Sequence, residues 1–367
     1  MTPHGVLNRA ALVAVVLAAV GCGPMEKTGG QDPINRHLVY EKLIGEKGIW
    51  MAEADGSQPR LLVRNGQLPV ISPDGKWVAY FSDCSAAELG CTYLVSTSGG
   101  KPRLLSTRRL EEITWSPTSE RIGSIFVWGG HKEQQPGDED ELVSIDVASG
   151  KQVTLARAPQ FFGWSFSPDG KNVAFAPASR TEEGYYSEDI DLFVTAADGG
   201  EIQRITNTGD ASDPVWGPKS IAFARYPLLK DDKRDPSEIW QIQPDGTDLT
   251  SITKPLPKRF VEDGYGGLVP IDWSEDGGTL LAGLAGNWGH EPIAVDPENG
   301  AARELGRFGR PWGANTVAGS RDGRWVLVHE GSFAEVQAEN RTVLIVPYEG
   351  GKPVVVARGA WAASWNR

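Results

Sequence analysis

The stretch Ile71-Ser72-Pro73-Asp74-Gly75-Lys76-Trp77-Val78-Ala79-Tyr80 decides the fold of this chain, because it returns with variation along the sequence. Its elements are a hydrophobic residue, a Ser-Pro-Asp-Gly turn and a short apolar strand. Later copies begin at Trp115-Ser116-Pro117, Phe166-Ser167-Pro168, Trp216-Gly217-Pro218, Trp273-Ser274-Glu275, Gly319-Ser320-Arg321 and Trp365-Asn366-Arg367. The six intervals from Ile71 to Trp365 average 49 residues, and a repeat of this length determines the whole fold.

A second turn alternates with the first. It falls at Asp55-Gly56, Gly99-Gly100, Ser149-Gly150, Gly199-Gly200, Asp245-Gly246, Asn299-Gly300 and Gly350-Gly351. Ser-Pro-Asp-Gly favours a type I turn, in which Ser bonds back to the backbone and Pro presets φ. The Asp-Gly and Asn-Gly pairs predict primed two-residue hairpin turns. The flanking runs are β-branched and aromatic, so each repeat predicts four antiparallel strands.

The order of strands at the two ends predicts how the repeats assemble. Radial stacking of four-stranded units buries both of their apolar faces, and no helical pattern separates the strands. The first unit has its second, third and fourth strands at Leu38-Val39-Tyr40, Ile49-Trp50-Met51-Ala52 and Arg60-Leu61-Leu62-Val63, and Gly359 to Trp365 is a spare first strand. We therefore predict an all-β, seven-bladed β-propeller over residues 37–367, with the C-terminal strand pairing in blade one and closing the ring.

The tandem turns resemble the repeat of TolB-type β-propeller lipoproteins over about residues 37–367. The copies at Thr118-Ser119 and Gly217-Pro218-Lys219 depart from Ser-Pro-Asp-Gly, and Gly319 stands where an aromatic residue is expected. TolB itself carries an α/β domain ahead of its propeller, and fewer than twenty residues separate the leader from the first strand here. The resemblance therefore implies the fold, and we expect a protein other than TolB.

The N-terminus predicts export. Arg9 precedes an apolar run from Ala10 to Val20 that is too short to span a bilayer, so residues 1–21 are predicted to be a signal peptide. Ala19-Val20-Gly21-Cys22 resembles a bacterial lipobox, which implies lipid attachment at Cys22; the alternative is a secretory signal with an incidental cysteine. Residues 22–36 are a polar, Gly-rich tether. Gly23, by analogy with enterobacterial sorting, favours the outer membrane facing the periplasm.

The cysteine spacing predicts a disulfide, and the net charge limits the classes of partner that the protein can bind. Cys84 and Cys91 lie in one predicted inter-strand loop, where an oxidising compartment favours a disulfide over two free thiols. The 36 basic and 48 acidic side chains give a net charge of −12. This charge disfavours nucleic acid and broad contact with anionic lipid, so we expect membrane contact through the anchor only. It fits a soluble monomer and a basic partner.

The longest loops are predicted to lie on one face of the ring, opposite the tight turns. This long-loop face comprises 128–141, 178–190, 225–237, 254–272, 285–291 and 329–341, and function usually resides on such loops. The candidate partner or ligand residues are His131, Tyr185, Tyr186, Arg259, Tyr265, Trp288, His290, Trp312 and His329. The loop 254–272 is the longest between blades, and it is predicted to cover the channel, to hold a partner or to be disordered.

Two groups of residues on this face have side chains that can bind metal ions. Asp138-Glu139-Asp140-Glu141 with Glu182, Glu183, Glu188 and Asp189 form an acidic rim with the oxygen ligands of a divalent cation, but solvated loop charge is the favoured interpretation. His131, His290 and His329 resemble the histidines of metal-dependent polysaccharide lyases on this scaffold, although no ligand-type spacing joins them. We therefore expect no metal and no other cofactor.

The sequence favours a binding protein over an enzyme. It contains no Gly-x-Ser-x-Gly, Gly-x-x-x-x-Gly-Lys or His-Glu-x-x-His motif, and the hydrolase domain that follows similar propellers in prolyl peptidases is not expected. We predict a protein-interaction scaffold of the bacterial cell envelope whose partner contacts the long-loop face and the channel mouth. The alternatives are an envelope lyase or hydrolase acting at the channel mouth, and a small-ligand sensor using Trp128, Tyr185, Tyr186, Trp288 and Trp312.

Overall fold

The computed structural model describes residues 37–108, 110–126, 138–179, 189–226, 237–253, 267–286, 289–306, 314–320, 323–331 and 338–366. Within these residues the chain forms antiparallel four-stranded sheets, the blades of a seven-bladed propeller, and one short 3₁₀ turn at Ala338–Asn340. Blades six and seven are joined by a single parallel bridge between His290 and Asn315. The predicted fold class is confirmed.

The strands follow the repeat in order. Blade one contains β1 (His37–Lys42), β2 (Gly48–Glu53) and β3 (Arg60–Arg64). Blade two contains β4 (Gln67–Ile71), β5 (Trp77–Cys84), β6 (Ala87–Ser96) and β7 (Arg103–Ser106). Blade three contains β8 (Glu111–Trp115), β9 (Arg121–Phe126), β10 (Asp140–Asp146) and β11 (Gln152–Ala158). Blade four contains β12 (Gln160–Phe166), β13 (Asn172–Ala178), β14 (Phe193–Ala196) and β15 (Gln203–Arg204).

The remaining blades have the same arrangement. Blade five contains β16 (Ala211–Trp216), β17 (Ile221–Arg225), β18 (Glu238–Ile242) and β19 (Thr250–Ser251). Blade six contains β20 (Leu268–Trp273), β21 (Leu280–Gly286), β22 (Gly289–Val295) and β23 (Ala302–Glu304). Blade seven contains β24 (Ala314–Gly319), β25 (Trp325–Glu330), β26 (Thr342–Pro347) and β27 (Val354–Arg358). The last strand, β28 (Ala360–Trp365), is the first strand of blade one.

Ring closure occurs as the repeat phase predicts. β28 pairs antiparallel with β1, so that Trp365 lies opposite Leu38 and Ala360 lies opposite Lys42. Trp361 and Trp365 are both buried, with 4% of their surface exposed. The final strand therefore supplies both backbone hydrogen bonds and apolar packing to the first blade.

The hydrophobic core is divided among the interfaces between blades. Val39 and Ile49 of blade one, for example, pack with Val78 and Val95 of blade two. Equivalent clusters join the other neighbouring blades, including blade seven to blade one. Each sheet is thus buried on two faces by its neighbours, which is the arrangement that radial stacking requires.

The Ser-Pro turns are held by a buried hydroxyl. The Ser72 Oγ accepts a hydrogen bond from the Trp77 N–H at 3.0 Å and donates one to the Asp74 carboxylate at 2.6 Å. The Gly75 N–H donates to the Ser72 carbonyl at 2.8 Å, as in a type I turn. The same hydroxyl-to-backbone contact recurs at Ser116, Ser167, Ser274 and Ser320. The role predicted for the serine is therefore confirmed.

The second set of turns differs from the prediction. The Gly56 N–H donates to the Glu53 carbonyl and the Glu53 N–H donates to the Ser57 carbonyl, so three residues connect the strands. Of Ala54, Asp55 and Gly56, only Gly56 has a positive φ, at 81°. This is a type I turn followed by a glycine bulge, whereas a primed type I′ turn needs positive φ at both central residues. The predicted primed turn is wrong here because the loop is one residue longer.

The predicted disulfide is present. Cys84 and Cys91 are bonded, with their Cα atoms 5.7 Å apart. The predicted loop is instead largely a paired hairpin, since Cys84 ends β5 and Cys91 lies within β6 opposite Ser82.

Replacing both cysteines by serine is expected to lower the free energy of unfolding by about 2 kcal/mol, because the bond closes a short loop in the unfolded chain. Chemical denaturation of the variant and of the wild type, each with and without reductant, measures this difference. Reductant should destabilise the wild type alone, and an equal effect of reductant on both proteins would contradict the prediction.

Candidate functional site: the central channel

The first strands of the blades line the centre of the ring. β28 contacts β4, β12 contacts β16, and β16 contacts β20. Hydrogen bonds cross between blades at this level: the Trp115 indole N–H donates to the Val70 carbonyl at 3.0 Å, and the Trp273 indole N–H donates to the Val215 carbonyl at 3.1 Å. The channel wall is therefore a linked and well-defined surface.

Each first strand carries a β-bulge near its middle, and Leu68, Glu112 and Ala362 at three of these bulges line the channel. Five residues, each four positions before the residue that opens the tight turn, have φ between 47° and 87°: Leu68, Glu112, Gly163, Asp213 and Ala362. Blades six and seven carry Pro270 and Thr316 at this position. Bulges of this kind redirect side chains and are common near functional sites. We refer to these seven residues as the bulge ring.

A cavity of about 520 Å³ lies within the channel. Its walls come from blades one, two, three and seven, and include Leu68, Phe81, Glu111, Glu112, Trp115, His329, Trp361 and Trp365. The volume and the mixture of aromatic side chains with a few polar groups are typical of small-ligand sites.

Two carboxyl groups of the bulge ring, those of Glu112 and Asp213, have pKa values above their ordinary range. Burial raises the pKa of Glu112, and the charges of Glu111, Asp213 and Asp140 raise it further, while a hydrogen bond from Trp164 opposes them. Burial also raises the pKa of Asp213, opposed by a hydrogen bond from the Ser212 hydroxyl at 2.6 Å. Glu112 nevertheless remains accessible to water, because it projects into the channel and is surrounded by protein without being covered.

The raised pKa of Asp213 gives a testable pH dependence. Asp213→Asn is expected to raise the midpoint of thermal unfolding at neutral pH, because the raised pKa means that the unfolded chain releases the Asp213 proton more readily than the folded protein does, which costs folding stability as the pH rises. The cost is full above the folded-state pKa and vanishes as pH falls toward the unfolded value of 3.8, so the two midpoints should converge in acid. Asparagine tolerates the left-handed backbone of this position.

Asp198→Asn, at an exposed turn, is the matched control and should leave the midpoint unchanged. If Asp213→Asn instead destabilised the protein at neutral pH, the raised pKa assigned to Asp213 would be contradicted.

The tight-turn end of the channel has a different lining. A cavity of about 430 Å³ is surrounded there by Trp115, Phe166, Trp216 and Trp273 together with Pro73, Pro117, Pro168 and Pro218. These are the aromatic and proline residues of successive repeats. The residues that define the repeat thus also form an aromatic rim at the mouth opposite the predicted face.

His329 lies in the wall of the larger cavity and acts as a structural acceptor. Its Nε2 accepts a hydrogen bond from the Ala363 N–H at 2.8 Å, and its ring packs on Trp361 at 4.6 Å. Burial lowers the pKa of His329 to about 3, so the ring is neutral. Because Nε2 accepts, the proton of the neutral ring resides on Nδ1. His329 therefore joins blade seven to β28.

His290 lies near His329 in the sheet order. Both pair with Asn315, His290 through the parallel bridge and His329 through the antiparallel ladder. Burial lowers the pKa of His290. No group of three His, Cys, Asp or Glu side chains able to hold a metal occurs among the residues that the structure describes.

One carboxylate of the predicted acidic rim, Glu141, is paired with arginine. Glu141 accepts hydrogen bonds from Arg108 at 3.0 Å and from Arg157 at 2.9 Å, which hold the pKa of this carboxyl below its ordinary value against the effect of desolvation. Asp140 is buried. Glu141 is thus part of an ion-pair network that joins the loop after β7 to blade three.

Several predicted residues lie outside the described residues, and their roles stay predictions. They are Cys22, Trp128, His131, Glu182, Glu183, Tyr185, Tyr186, Glu188, Arg259, Tyr265, Trp288 and Trp312. Conversely, Glu112, Asp213 and Trp365 were not predicted as site residues. The sequence gives one indication of Glu112 and Asp213: each stands four residues before the turn of its repeat. In the part of the chain that the structure describes, no helix is long and apolar enough to cross a membrane.

Comparison with known proteins identifies the fold. No protein-family model matches the chain, and no curated protein matches its sequence. The β-propeller domain of the Trilobed protease from Pyrococcus furiosus superposes with a TM-score of 0.60 at 12% identity, over 88% of this chain and 93% of that one. That domain has an open velcro topology, whereas β28 pairs with β1 here.

Two further structures are similar. An oligogalacturonate lyase in complex with manganese gives a TM-score of 0.56 at 16% identity, over 87% of this chain and 83% of that one. TolB from Acinetobacter baumannii gives 0.49 at 14% identity, over 89% and 81%. The resemblance to the protease domain and to the lyase is one of β-propeller fold at low identity, and it assigns no specific family.

Proposed function

We propose that this chain is an exported, lipid-anchored β-propeller that binds a protein partner in the bacterial cell envelope. The partner contacts the long-loop face and the channel mouth, and the anchor at Cys22 holds the ring at the outer membrane facing the periplasm. The observation that carries the proposal is the acidic lining of the channel by Glu111 and Glu112, because charge complementarity steers a partner and fixes how it docks.

The sequence and the disulfide support the location. The apolar run before Cys22 has the form of a lipoprotein signal, and the Cys84–Cys91 bond fits an oxidising compartment outside the cytoplasm. The acidic channel and the net charge of −12 favour a partner segment that carries positive charge.

Affinity capture tests the partner. The fragment 23–367 is immobilised and exposed to envelope extract, and bound proteins are identified with and without competing free fragment. Glu112→Arg should abolish capture because it reverses the charge in the channel, whereas Glu120→Arg, at an exposed turn of the same blade, should not. Capture that is unchanged by Glu112→Arg would exclude the channel, and variants of Arg259 and Tyr265 would then test the long-loop face.

Fractionation tests the anchor. The wild type should partition with the outer membrane and incorporate a labelled fatty acid, whereas Cys22→Ser should do neither. Labelling of the Cys22→Ser variant, or a wild-type protein found wholly in the soluble fraction, would contradict lipid attachment at this residue.

The second candidate is an enzyme acting at the channel mouth, and Glu112 and Asp213 favour it. Carboxyl groups with raised pKa values are typical of general acids, and an oligogalacturonate lyase shares the fold. Incubation of the purified protein with envelope and plant polysaccharides, together with metal analysis, tests this candidate. Cleavage that is lost in Glu112→Gln, or a stoichiometric metal lost in His131→Ala or His290→Ala, would favour the enzyme over the scaffold.

A further inference from the structure

The first strand of the propeller starts on the tight-turn face, which carries both sets of tight turns and is opposite the long-loop face. His37 opens β1 and lies opposite Glu53, the last residue of β2 before the turn at Asp55-Gly56. β28 ends at the same face, because Trp365 lies opposite Leu38. The chain that precedes His37 therefore enters the ring on the tight-turn face.

Two hydrogen bonds fix this entry point. The His37 N–H donates to the Asn366 Oδ1 at 2.7 Å, and the Asn366 N–H donates to the His37 carbonyl at 3.3 Å. In blade two the Ser72 N–H donates to the Trp77 carbonyl at 2.8 Å in the same way. Asn366 and His37 thus take the places that Ser72 and Trp77 have around a Ser-Pro-Asp-Gly turn. The entry point lies where blade one would otherwise have this turn.

The tether predicted from the sequence is short relative to the ring. Residues 22–36 are 15 residues, and a Gly-rich chain of this length has an average end-to-end distance of about 20 Å. The six residues of β1 rise about 20 Å, and two strand spacings of about 4.8 Å separate β1 from the outer edge of its blade. To reach a membrane on the long-loop side, the tether would have to run about 30 Å along the protein first. A membrane on the tight-turn side requires no such detour.

We propose that the ring is held with its tight-turn face toward the membrane, so that the long-loop face is directed into the periplasm. This inference rests on the proposed lipid anchor at Cys22. The tether and the height of the ring together place the long-loop face about 40 Å from the lipid surface. The partner that docks there is therefore a soluble protein, or a soluble segment that extends this far from the bilayer.

The charges of the tight turns show why the tether, and not adhesion to lipid, sets the orientation. Asp74 pairs with Lys76 at 3.1 Å, and Asp169 pairs with Lys171 at 3.8 Å. Anionic lipid attracts clusters of four or more unpaired basic residues, and these turns offer lysines that a carboxylate already neutralises. The tight-turn face is thus kept near the bilayer by the anchor without binding it.

Energy transfer from two positions of blade four to the lipid surface tests the orientation. Asp198→Cys lies at an exposed tight turn, and Ser179→Cys lies at the exposed long-loop end of β13. With Cys22 acylated and Cys84 bonded to Cys91, a thiol-reactive fluorophore labels the introduced cysteine. The full-length lipoprotein is reconstituted on phosphatidylcholine vesicles that carry an acceptor dye on a few headgroups. Transfer should be at least about twofold more efficient from Asp198→Cys, because this position is about 20 Å closer to the lipid.

A longer tether is the matched control. A Gly/Ser insertion after Gly30 that extends the tether to about 60 residues raises its average reach to about 40 Å, enough to pass around the blade, and should bring the two efficiencies together. Unfolding midpoints establish that the labelled variants are folded. Equal efficiencies from membrane-bound protein with the natural tether, or a higher efficiency from Ser179→Cys, would overturn the orientation and leave the anchor standing. If the protein does not sediment with the vesicles, the anchor itself is wrong and the orientation is overturned with it.

Discussion

Deletion of residues 359–367 is expected to abolish cooperative thermal unfolding, because it removes β28 from blade one. The strand buries Trp361 and Trp365 almost completely, and truncation of one such tryptophan to alanine alone costs about 3–5 kcal/mol. The deletion also leaves β1 without its partner and removes the Ser364 hydroxyl, which accepts a hydrogen bond from the Ile71 N–H at 2.8 Å. The combined loss approaches the whole stability of a typical domain, about 5–15 kcal/mol.

Calorimetry of the deleted chain measures this effect, and a peptide comprising 359–367 provides the complementary test. Added in excess, the peptide should restore a cooperative transition because it can pair with β1. A peptide of the same composition in scrambled order is the control and should not. A deleted chain that unfolds as cooperatively as the wild type would show that closure through β28 contributes little to the fold.

The sequence was sufficient to predict ring closure because the information lies in the phase of the repeat. Ile71 follows the third and fourth strands of an incomplete first unit, and the spare strand ending at Trp365 has the pattern of a first strand. The type of the second turns was not predictable in the same way. Asp55-Gly56 is compatible with two loop lengths, and the register of the flanking strands selects the longer one.

The candidate site was less predictable than the fold. His329 lies near the end of β25, toward the long-loop face as the repeat predicts, but its Nε2 is engaged by the Ala363 N–H across a distance of 34 residues in sequence. No local pattern reveals such a contact. Glu112 and Asp213 are ordinary acidic residues in the sequence, and only the bulges place them in the channel, where burial raises their pKa values.

Gly163 is the one glycine of the bulge ring, and the closeness of the Asp213 backbone explains why a glycine is needed there. Leu68, Glu112, Asp213 and Ala362 have the same left-handed conformation without being glycine, so the conformation alone does not require Gly163. A Cβ atom on Gly163 would lie 2.7 Å from the Cα of Asp213 and 3.3 Å from the Cδ of Pro214. The backbone of blade five therefore approaches blade four too closely for any side chain. The position of the Asp213 carboxyl in the channel depends on this approach.

Gly163→Ala is accordingly expected to destabilise the protein by about 3 kcal/mol, from the left-handed backbone and from overlap with a backbone that cannot move aside cheaply. Gly150→Ala is the matched control, since Gly150 has a φ of 71° with no atom within 4 Å of the added Cβ, and it should cost only about 1 kcal/mol. Denaturant unfolding of both variants measures the difference. Equal losses would mean that blades four and five can separate at Asp213 without cost, and a larger loss at Gly163 shows that their contact is rigid. If that contact is displaced, the excess stability that Asp213→Asn confers at neutral pH should shrink in the Gly163→Ala background, because the carboxyl would then reach water.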